Sequence, residues 1–365
     1  MSTIAVIGGS GRVGRAFLGA LAARGKPRRI LVIDSQPWPG PLAPDMQFFR
    51  VDVRNRILSD LFLSENVRTV VHLASASQQI LDPERMHEVN VIGTMNVIRA
   101  CQSAPVERLL VASSTLVYGA RTDNPLYLTE DRPARPNRGN GYARDKAEVE
   151  RLATAYGTKH RNTCVQVLRP CTCIESPSLS LLAPLFAGGF FPRVLGHDPL
   201  VQAISLADLA RGLLCALDHP VAGTFNMVGR GVLPLSSAVA LTGRTTVPVP
   251  MAAVQALVAG QWLLRRARIS PGALDLLRYP VIASGKRAED ELGFVPSDDV
   301  TRCFSLARGE PVADAGALDA REDTLFEALR AGHERLELDR IMNVIRKGAQ
   351  RLDEEGRGAV DRVSQ

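Results

Sequence analysis

Ile4-Ala5-Val6-Ile7-Gly8-Gly9-Ser10-Gly11-Arg12-Val13-Gly14 begins with four apolar residues and then sets glycines at positions 8, 11 and 14. A β-branched run that stops at a glycine turn and continues as a helical pattern over 13–24 is the opening of a βαβ unit. Glycines at this spacing permit a tight turn and let the backbone approach a pyrophosphate, whose charge the helix N-terminus favours. Outward from here the alternation repeats. Strands are expected at 4–7, 30–33, 48–51, 70–73, 109–113 and 164–168, and helices near 13–24, 58–64, 86–101 and 143–155. That order predicts right-handed crossovers and an α/β fold with a doubly wound parallel sheet.

The remainder of the 365 residues reads differently. From Pro170 onward Pro- and Gly-punctuated apolar segments, a helix at 206–217 and a strand-like stretch at 224–228 suggest a smaller substrate-covering region, partly interleaved with the sheet. The expected organisation is therefore a dinucleotide-binding domain over 1–170, a substrate-binding region over 171–310, and a charged tail over 311–365. In the tail Leu338, Ile341, Ile345, Ala349 and Leu352 recur at helical spacing.

Composition narrows the function. Lys and Arg number 44 against 38 Asp and Glu, but the basic residues are scattered, including the short Arg265, Arg266, Arg268 cluster, so no nucleic-acid partner is expected. Six cysteines without C-x-x-C pairs or neighbouring histidines at ligand spacing suit reduced thiols in the cytoplasm and no metal. The first residues enter a strand at once, with no secretion signal. The apolar runs 179–192 and 251–264 are about 14 residues long, too short to span a bilayer, although they are able to rest on one; ordinary helix core is the plainer reading.

Three further features carry chemistry. Asp34 ends the second strand 20 residues past Gly14, where a carboxylate accepts from ribose hydroxyls and repels a 2′-phosphate, which favours NAD. A turn-forming role in Asp34-Ser35-Gln36-Pro37 is the alternative, and Arg12 keeps a phosphate contact open. Ser113-Ser114-Thr115 closes a strand. Tyr142 and Lys146 then stand four residues apart on one helix face, where a nearby ammonium is expected to lower the phenol's pKa from about 10 and make it a usable base.

Read together with Asp52-Val53-Arg54-Asn55, Val71-His72-Leu73-Ala74, Asn90-Val91-Ile92-Gly93-Thr94, Val117-Tyr118-Gly119, Leu168-Arg169-Pro170 and Asp208-Leu209-Ala210, these motifs run collinearly over roughly residues 1 to 300. The chain resembles the extended short-chain dehydrogenase/reductase family, in particular its NAD-dependent epimerase/dehydratase group, which is UDP-glucose 4-epimerase-like. The resemblance implies a Rossmann-type sheet, NAD as cofactor and a homodimer through helices of the sheet domain. It makes Tyr142 the acid/base, Lys146 the holder of the nicotinamide ribose, and Ser114 the assistant at the substrate oxygen. Gly8, Ser10, Gly11, Arg12, Val13, Gly14, Asp34, Asp52, Val53, Leu73, Ala74, Ser75, Asn90, Tyr142, Lys146 and Pro170 form the implied cofactor set. Asp52 is to meet the adenine amino group, and Val53 the ring. Ser75, Ser114, Thr115, Thr172 and Gln202 form the implied substrate set, while Tyr118 and Gly119 read as structural.

The resemblance also separates chemistries. Ser114-Thr115-Leu116 stands where family dehydratases resemble T-D-E, so water elimination is disfavoured. Pro170-Cys171-Thr172-Cys173 replaces a usual substrate-binding Asn, Ser205 a usual His, and Val201-Gln202 a usual basic residue. Cys171 and Cys173 alternate along a strand and are able to face the pocket, without a paired base. His72, His87, His197 and His219 read as structural or exposed. The expected activity is epimerisation of a nucleotide sugar or related activated sugar through a keto intermediate. The alternative is a 3β-hydroxysteroid dehydrogenase-like dehydrogenase or reductase of a hydrophobic alcohol or ketone. A catalytically idle NAD-binding scaffold is opposed by the intact Ser114, Tyr142 and Lys146.

Overall fold

A computed structural model of the chain describes residues 3–25, 29–76, 82–174, 190–263 and 271–306. The tail over 311–365, the Arg265 to Arg268 cluster and most of the 179–192 run lie outside the described residues. Seven parallel strands form the main sheet: β1 (Thr3–Ile7), β2 (Arg29–Asp34), β3 (Met46–Arg50), β4 (Val67–His72), β5 (Arg108–Ala112), β6 (Cys164–Pro170) and β7 (Gly223–Met227). Their spatial order is β7-β6-β5-β4-β1-β2-β3. Chain direction across the sheet therefore reverses between β1 and β4, and the crevice beyond the carboxyl ends of those two strands is where a doubly wound sheet receives a ligand.

Burial on both faces explains why the strands read as continuous apolar runs rather than alternating ones. Ile4, Val6, Ile30 and Val32 point into one core, with Phe17, Leu18 and Leu21 of α1 (Arg12–Ala22) and Leu209, Leu213 and Leu217 further along the chain. Ala5, Ile7, Leu31 and Ile33 point to the other face, against Phe62, Val97, Ala100, Val149 and Ala153. Those last residues come from α2 (Leu58–Ser64), α4 (Gly93–Ser103) and α5 (Gly141–Lys159). The helical stretch expected over 86–101 begins as α3 (Pro83–His87), passes through a π turn, Glu88–Ile92, and continues as α4.

The seventh strand comes from the region read as substrate-covering and partly interleaved with the sheet: Gly223–Met227 is hydrogen-bonded in parallel to β6. Its helix, α6 (Leu206–Asp218), packs on α1, and the Arg24–Asp218 ion pair at 2.5 Å fastens the two. Periodicity identifies a strand but does not say which neighbour it joins across a long connection. Outside the sheet, short pairs join 172–173 to 203–204, 200–201 to 233–234, and Phe190–Val194 to Thr245–Val249. Helix Met251–Leu263 buries Val254 and Val258 against Phe191, Leu274 and Leu277, which agrees with the helix-core reading of that apolar run. Among the described residues no helix is long and apolar enough to cross a membrane.

Candidate active site

The glycine turn is built by close approach. Gly8 has φ +84°, and a Cβ there would lie 2.4 Å from the Ala74 nitrogen, so the turn seats on the residues that follow β4. A Cβ at Gly14 would lie 2.3 Å from the Gly8 oxygen, which lets α1 start directly against the turn. Gly11 is different: only the Gly8 oxygen, at 3.2 Å, is near its missing Cβ. It precedes α1, whose first turn has no side-chain cap and no acidic residue. Uncapped N–H groups beside an open glycine fit a pyrophosphate. Arg12 is exposed there, and Val13 packs on the core.

Asp34 both turns the chain and faces this loop. Its Oδ2 accepts from the Ser10 N–H and its Oδ1 from the Gln36 N–H, each at 2.9 Å. The turn-forming alternative is thus realised, and the second lone pair on each oxygen remains for a ribose hydroxyl. Asp52 is gripped by Arg54 through the backbone N–H at 2.9 Å, Nε at 3.0 Å and Nη2 at 2.8 Å, and the guanidinium holds its carboxyl below the usual carboxylate range. Arg54 also reaches Glu88 at 2.8 Å, and an open cleft of about 530 Å³ lies among Asp52, Arg54, Asn55, Glu88 and Ile92. Val53 is buried, admitted by Gly93, whose Cβ would lie 2.6 Å from its side chain.

Helix α5 carries Tyr142, Lys146 and Glu150 at four-residue intervals, and its N-terminus is capped by Asn140, which accepts from the Ala143 N–H. This face lies along the end of β5. Lys146 Nζ donates to the Ala112 oxygen at 2.8 Å, and Glu150 accepts from the Ser113 hydroxyl at 2.5 Å. Ser114 is buried, and its oxygen accepts from the Leu116 N–H at 3.2 Å, which leaves its own proton to donate. Thr115 is buried in the following turn, Thr115–Tyr118.

The expected effect of Lys146 on Tyr142 is not what the structure shows. Burial pushes the Tyr142 phenol up to about 12, with a Ser75 hydrogen bond opposing, and burial pushes Lys146 down to about 8. The ammonium lies 5.7 Å from the tyrosine ring centre and spends a proton on Ala112. Desolvation wins over charge proximity here.

Around this pair the chain gathers residues far apart in sequence. Asn90, in the π turn, accepts from the Ser75 hydroxyl at 3.2 Å and the Ala76 N–H at 2.8 Å. Leu73 and Ala74 line the same edge, with Leu73 N–H on the Ile7 oxygen at 2.8 Å. His87 and Asp145 meet at 2.9 Å, a contact that sequence reading missed because it joins residues 58 positions apart and nothing local to either signals it. Glu150 is also ion-paired with Arg169, whose Nη1 donates to the Tyr118 hydroxyl at 2.8 Å; Tyr118 donates to Asn226 at 2.8 Å. Tyr118 is thus a buried strut between β5, β6 and β7.

Two expected substrate contacts are otherwise employed or differently placed. Gln202 donates to the Ala283 oxygen and accepts from the Ala283 N–H, both at 3.1 Å, so its amide is committed to the backbone. Thr172 is exposed in its short strand pair, and Pro170 ends β6. Cys171 is buried in the core, which pushes its thiol up and removes it as a nucleophile facing a pocket. Two arginines that sequence reading did not single out stand apart, and the Arg278 guanidinium lies over the Tyr279 ring at 4.7 Å from its centre. The Nε groups of Arg193 and Arg278 are buried with no partner. Gly272 packs against Gly139 and Asn140, and Asn137 donates to Asp275 at 2.9 Å, so the Arg278 segment adjoins the start of α5; His197, on the Arg193 segment, meets Tyr279 edge-on.

A family model described as NAD dependent epimerase/dehydratase family matches residues 4–227. An uncharacterized protein of Mycobacterium tuberculosis is 32% identical over 265 residues, covering 71% of this chain and 69% of that protein. The human sterol-4-alpha-carboxylate 3-dehydrogenase, decarboxylating, is 34% identical over 168 residues, 45% of this chain and 43% of that one. Among solved structures, the Thermus thermophilus UDP-glucose 4-epimerase complex with NAD superposes with a TM-score of 0.64 at 22% identity, covering 84% of this chain and 97% of that chain.

Proposed function

This chain belongs to the NAD dependent epimerase/dehydratase family, and from that membership we propose that it is an NAD-dependent epimerase of a nucleotide sugar or related activated sugar. The observation that carries the reading is the pair of buried guanidinium Nε groups of Arg193 and Arg278 without a hydrogen-bond partner, Arg278 in the segment that adjoins the helix of Tyr142 and Lys146 and Arg193 in the segment that meets Tyr279. Leaving such donors unsatisfied is costly, and the diphosphate of a nucleotide sugar would satisfy them.

Gly8, Gly11 and the first turn of α1 would hold the pyrophosphate of NAD, Asp34 the adenosine ribose, and Asp52 with Val53 the adenine. The chemistry that bound NAD supplies is reversible hydride acceptance, the basis of a transient keto sugar. The protein's part is proton handling and orientation. Tyr142 takes the proton of the reacting hydroxyl and returns it, Ser114 donates to the same oxygen, and Lys146 fixes the ribose beside them. A homodimer in the cytoplasm belongs to the same reading; Ile92 and Met95, 41% and 43% exposed, offer apolar surface for it on the π turn and α4.

An epimerase regenerates its cofactor in every cycle and gains by retaining it. The test is to purify the protein without added nucleotide, denature it and identify the released dinucleotide by mass spectrometry. Near-stoichiometric NAD supports the reading. An empty site that binds NAD or NADP reversibly favours the second reading, a dehydrogenase of a hydrophobic alcohol, which the 34% identity to the human sterol dehydrogenase and the committed Gln202 amide support.

A further inference from the structure

Two carboxylates act on the Lys146 ammonium, Asp145 and Glu150, and the fold holds them differently. Glu150 is matched inside the protein: Arg169 donates to both of its oxygens, at 2.8 and 2.6 Å. Asp145 is 6% exposed, yet its partners are an imidazole and an amide. His87 Nδ1 lies 2.9 Å from Oδ1, and Asn90 Nδ2 donates to Oδ2 at 3.3 Å.

The Asn90 contact fixes an orientation. Its Oδ1 accepts from Ser75 and Ala76, and its Nδ2 donates to the Ala76 oxygen at 3.1 Å as well as to Asp145, so all the hydrogen-bonding capacity of the amide is used in one sense only. Ser75 in turn bonds Tyr142. A line of contacts therefore runs from His87, with 54% of its side chain exposed, through Asp145 and Asn90 to the phenol.

We propose that Asp145 is a positioning residue of the active site: its buried carboxylate, gripped by His87 and Asn90, locks the Asn90 amide toward Ser75 and faces the Lys146 ammonium with a fixed negative charge. The inference rests on the reading of Tyr142 and Lys146 as the catalytic pair. The other groups facing Lys146 are the Tyr142 ring on α5, buried His72 on β4, and Glu150 with its Arg169 partner. Burial alone drives Lys146 toward the neutral amine, and the Asp145 charge opposes that.

The test reads Lys146 directly, in full-length protein with isotopically labelled lysines, by following its side-chain carbon shift with pH. The signal is assigned through Lys146→Arg. Asp145→Asn keeps an acceptor for Asn90, offers His87 Nδ1 a donor so that the ring takes the tautomer that accepts there, and removes the charge. It is expected to lower the Lys146 midpoint by about one pH unit. Should that variant not fold, His87→Ala exposes the carboxylate to water from its outer end and is expected to lower the midpoint by a smaller amount. A midpoint unchanged in either folded variant overturns the proposal and leaves Asp145 as a mere tie between α3 and α5. No substrate enters this measurement, so its failure leaves the proposed reaction standing, and a failed substrate search leaves the titration informative.

Discussion

Lys146 Nζ donates a 2.8 Å hydrogen bond to the carbonyl oxygen of Ala112, and so α5 is fastened to the end of β5 by the same side chain that faces Tyr142. The fastening costs desolvation of a cation. Lys146 falls from 10.5 to about 8 in the folded protein. Between those values the unfolded chain holds the proton more tightly, so native stability rises with pH through that window and the full cost is present below it. Lys146→Met is expected to be more stable than the parent at neutral pH by about 2–3 kcal/mol, with the gap closing as pH approaches about 10. Urea unfolding across pH measures this.

Tyr142, raised to about 12 by burial, holds very little phenolate at neutral pH in the ligand-free site. Turnover is expected to climb with pH from about 7 to 9, and Tyr142→Phe to remove at least about 100-fold of it, the usual worth of a positioned acid/base. A pH-rate profile of parent and variant decides; a flat profile contradicts the assignment of the rise to Tyr142.

The glycine turn makes a paired prediction. Gly14→Ala drives a Cβ to 2.3 Å from the Gly8 oxygen and is expected to weaken NADH binding strongly, read by fluorescence, with about 1–3 kcal/mol of strain. Gly19, on the same helix, has open space at its missing Cβ. Gly19→Ala is expected to stabilise by about 0.5–1 kcal/mol and leave binding alone.

Arg169 and Glu150 are 6% and 9% exposed at their side chains and bridge β6 to α5 beneath Ser113. Removing one partner strands the other charge in the interior. Arg169→Met is expected to cost about 3–5 kcal/mol by denaturant unfolding, whereas an exposed pair such as Arg151–Glu148 yields under about 1 kcal/mol.

His72 is buried beside Lys146, which lowers it from 6.5 to about 3. The Thr94 hydroxyl donates to the Asn90 backbone carbonyl oxygen at 2.6 Å and therefore accepts from the His72 Nε2–H at 3.0 Å, leaving Nδ1 without a partner. Only the unfolded chain takes up this proton as pH falls from about 6.5 toward 3, so stability drops through that range. His72→Gln is expected to lose that part of the acid sensitivity, measured by thermal unfolding between about pH 4 and 7.

What is legible in the sequence is local. The run from Ile4 to Gly14 announces strand, turn and helix because its constraints act within a few residues, and the Tyr142 to Lys146 spacing fixes a shared helix face. What stays hidden depends on distant partners. The Gly223–Met227 strand is visible as a strand, but its place beside β6 is set by packing of α6 on α1. Gln202 passes for a pocket residue until Ala283, 81 positions away, claims both ends of its amide. Asp145 occupies an unremarkable slot in the motif, and only the π turn that brings His87 and Asn90 across to it gives it a role. The direction of the phenol's pKa shift escapes sequence reading because spacing reports proximity and not desolvation.

Epimerisation without added cofactor separates the two enzyme readings most sharply. The purified protein is incubated, without NAD in the buffer, with a panel of nucleotide sugars that includes UDP-glucose and UDP-galactose. Proton NMR follows the sugar stereochemistry while absorbance at 340 nm follows any reduced cofactor. An epimerase interconverts an epimeric pair with no accumulating 340 nm signal, and Tyr142→Phe abolishes the interconversion. Absence of any interconversion, together with steady NADH formation from a hydrophobic alcohol when NAD is supplied, would contradict the proposed function.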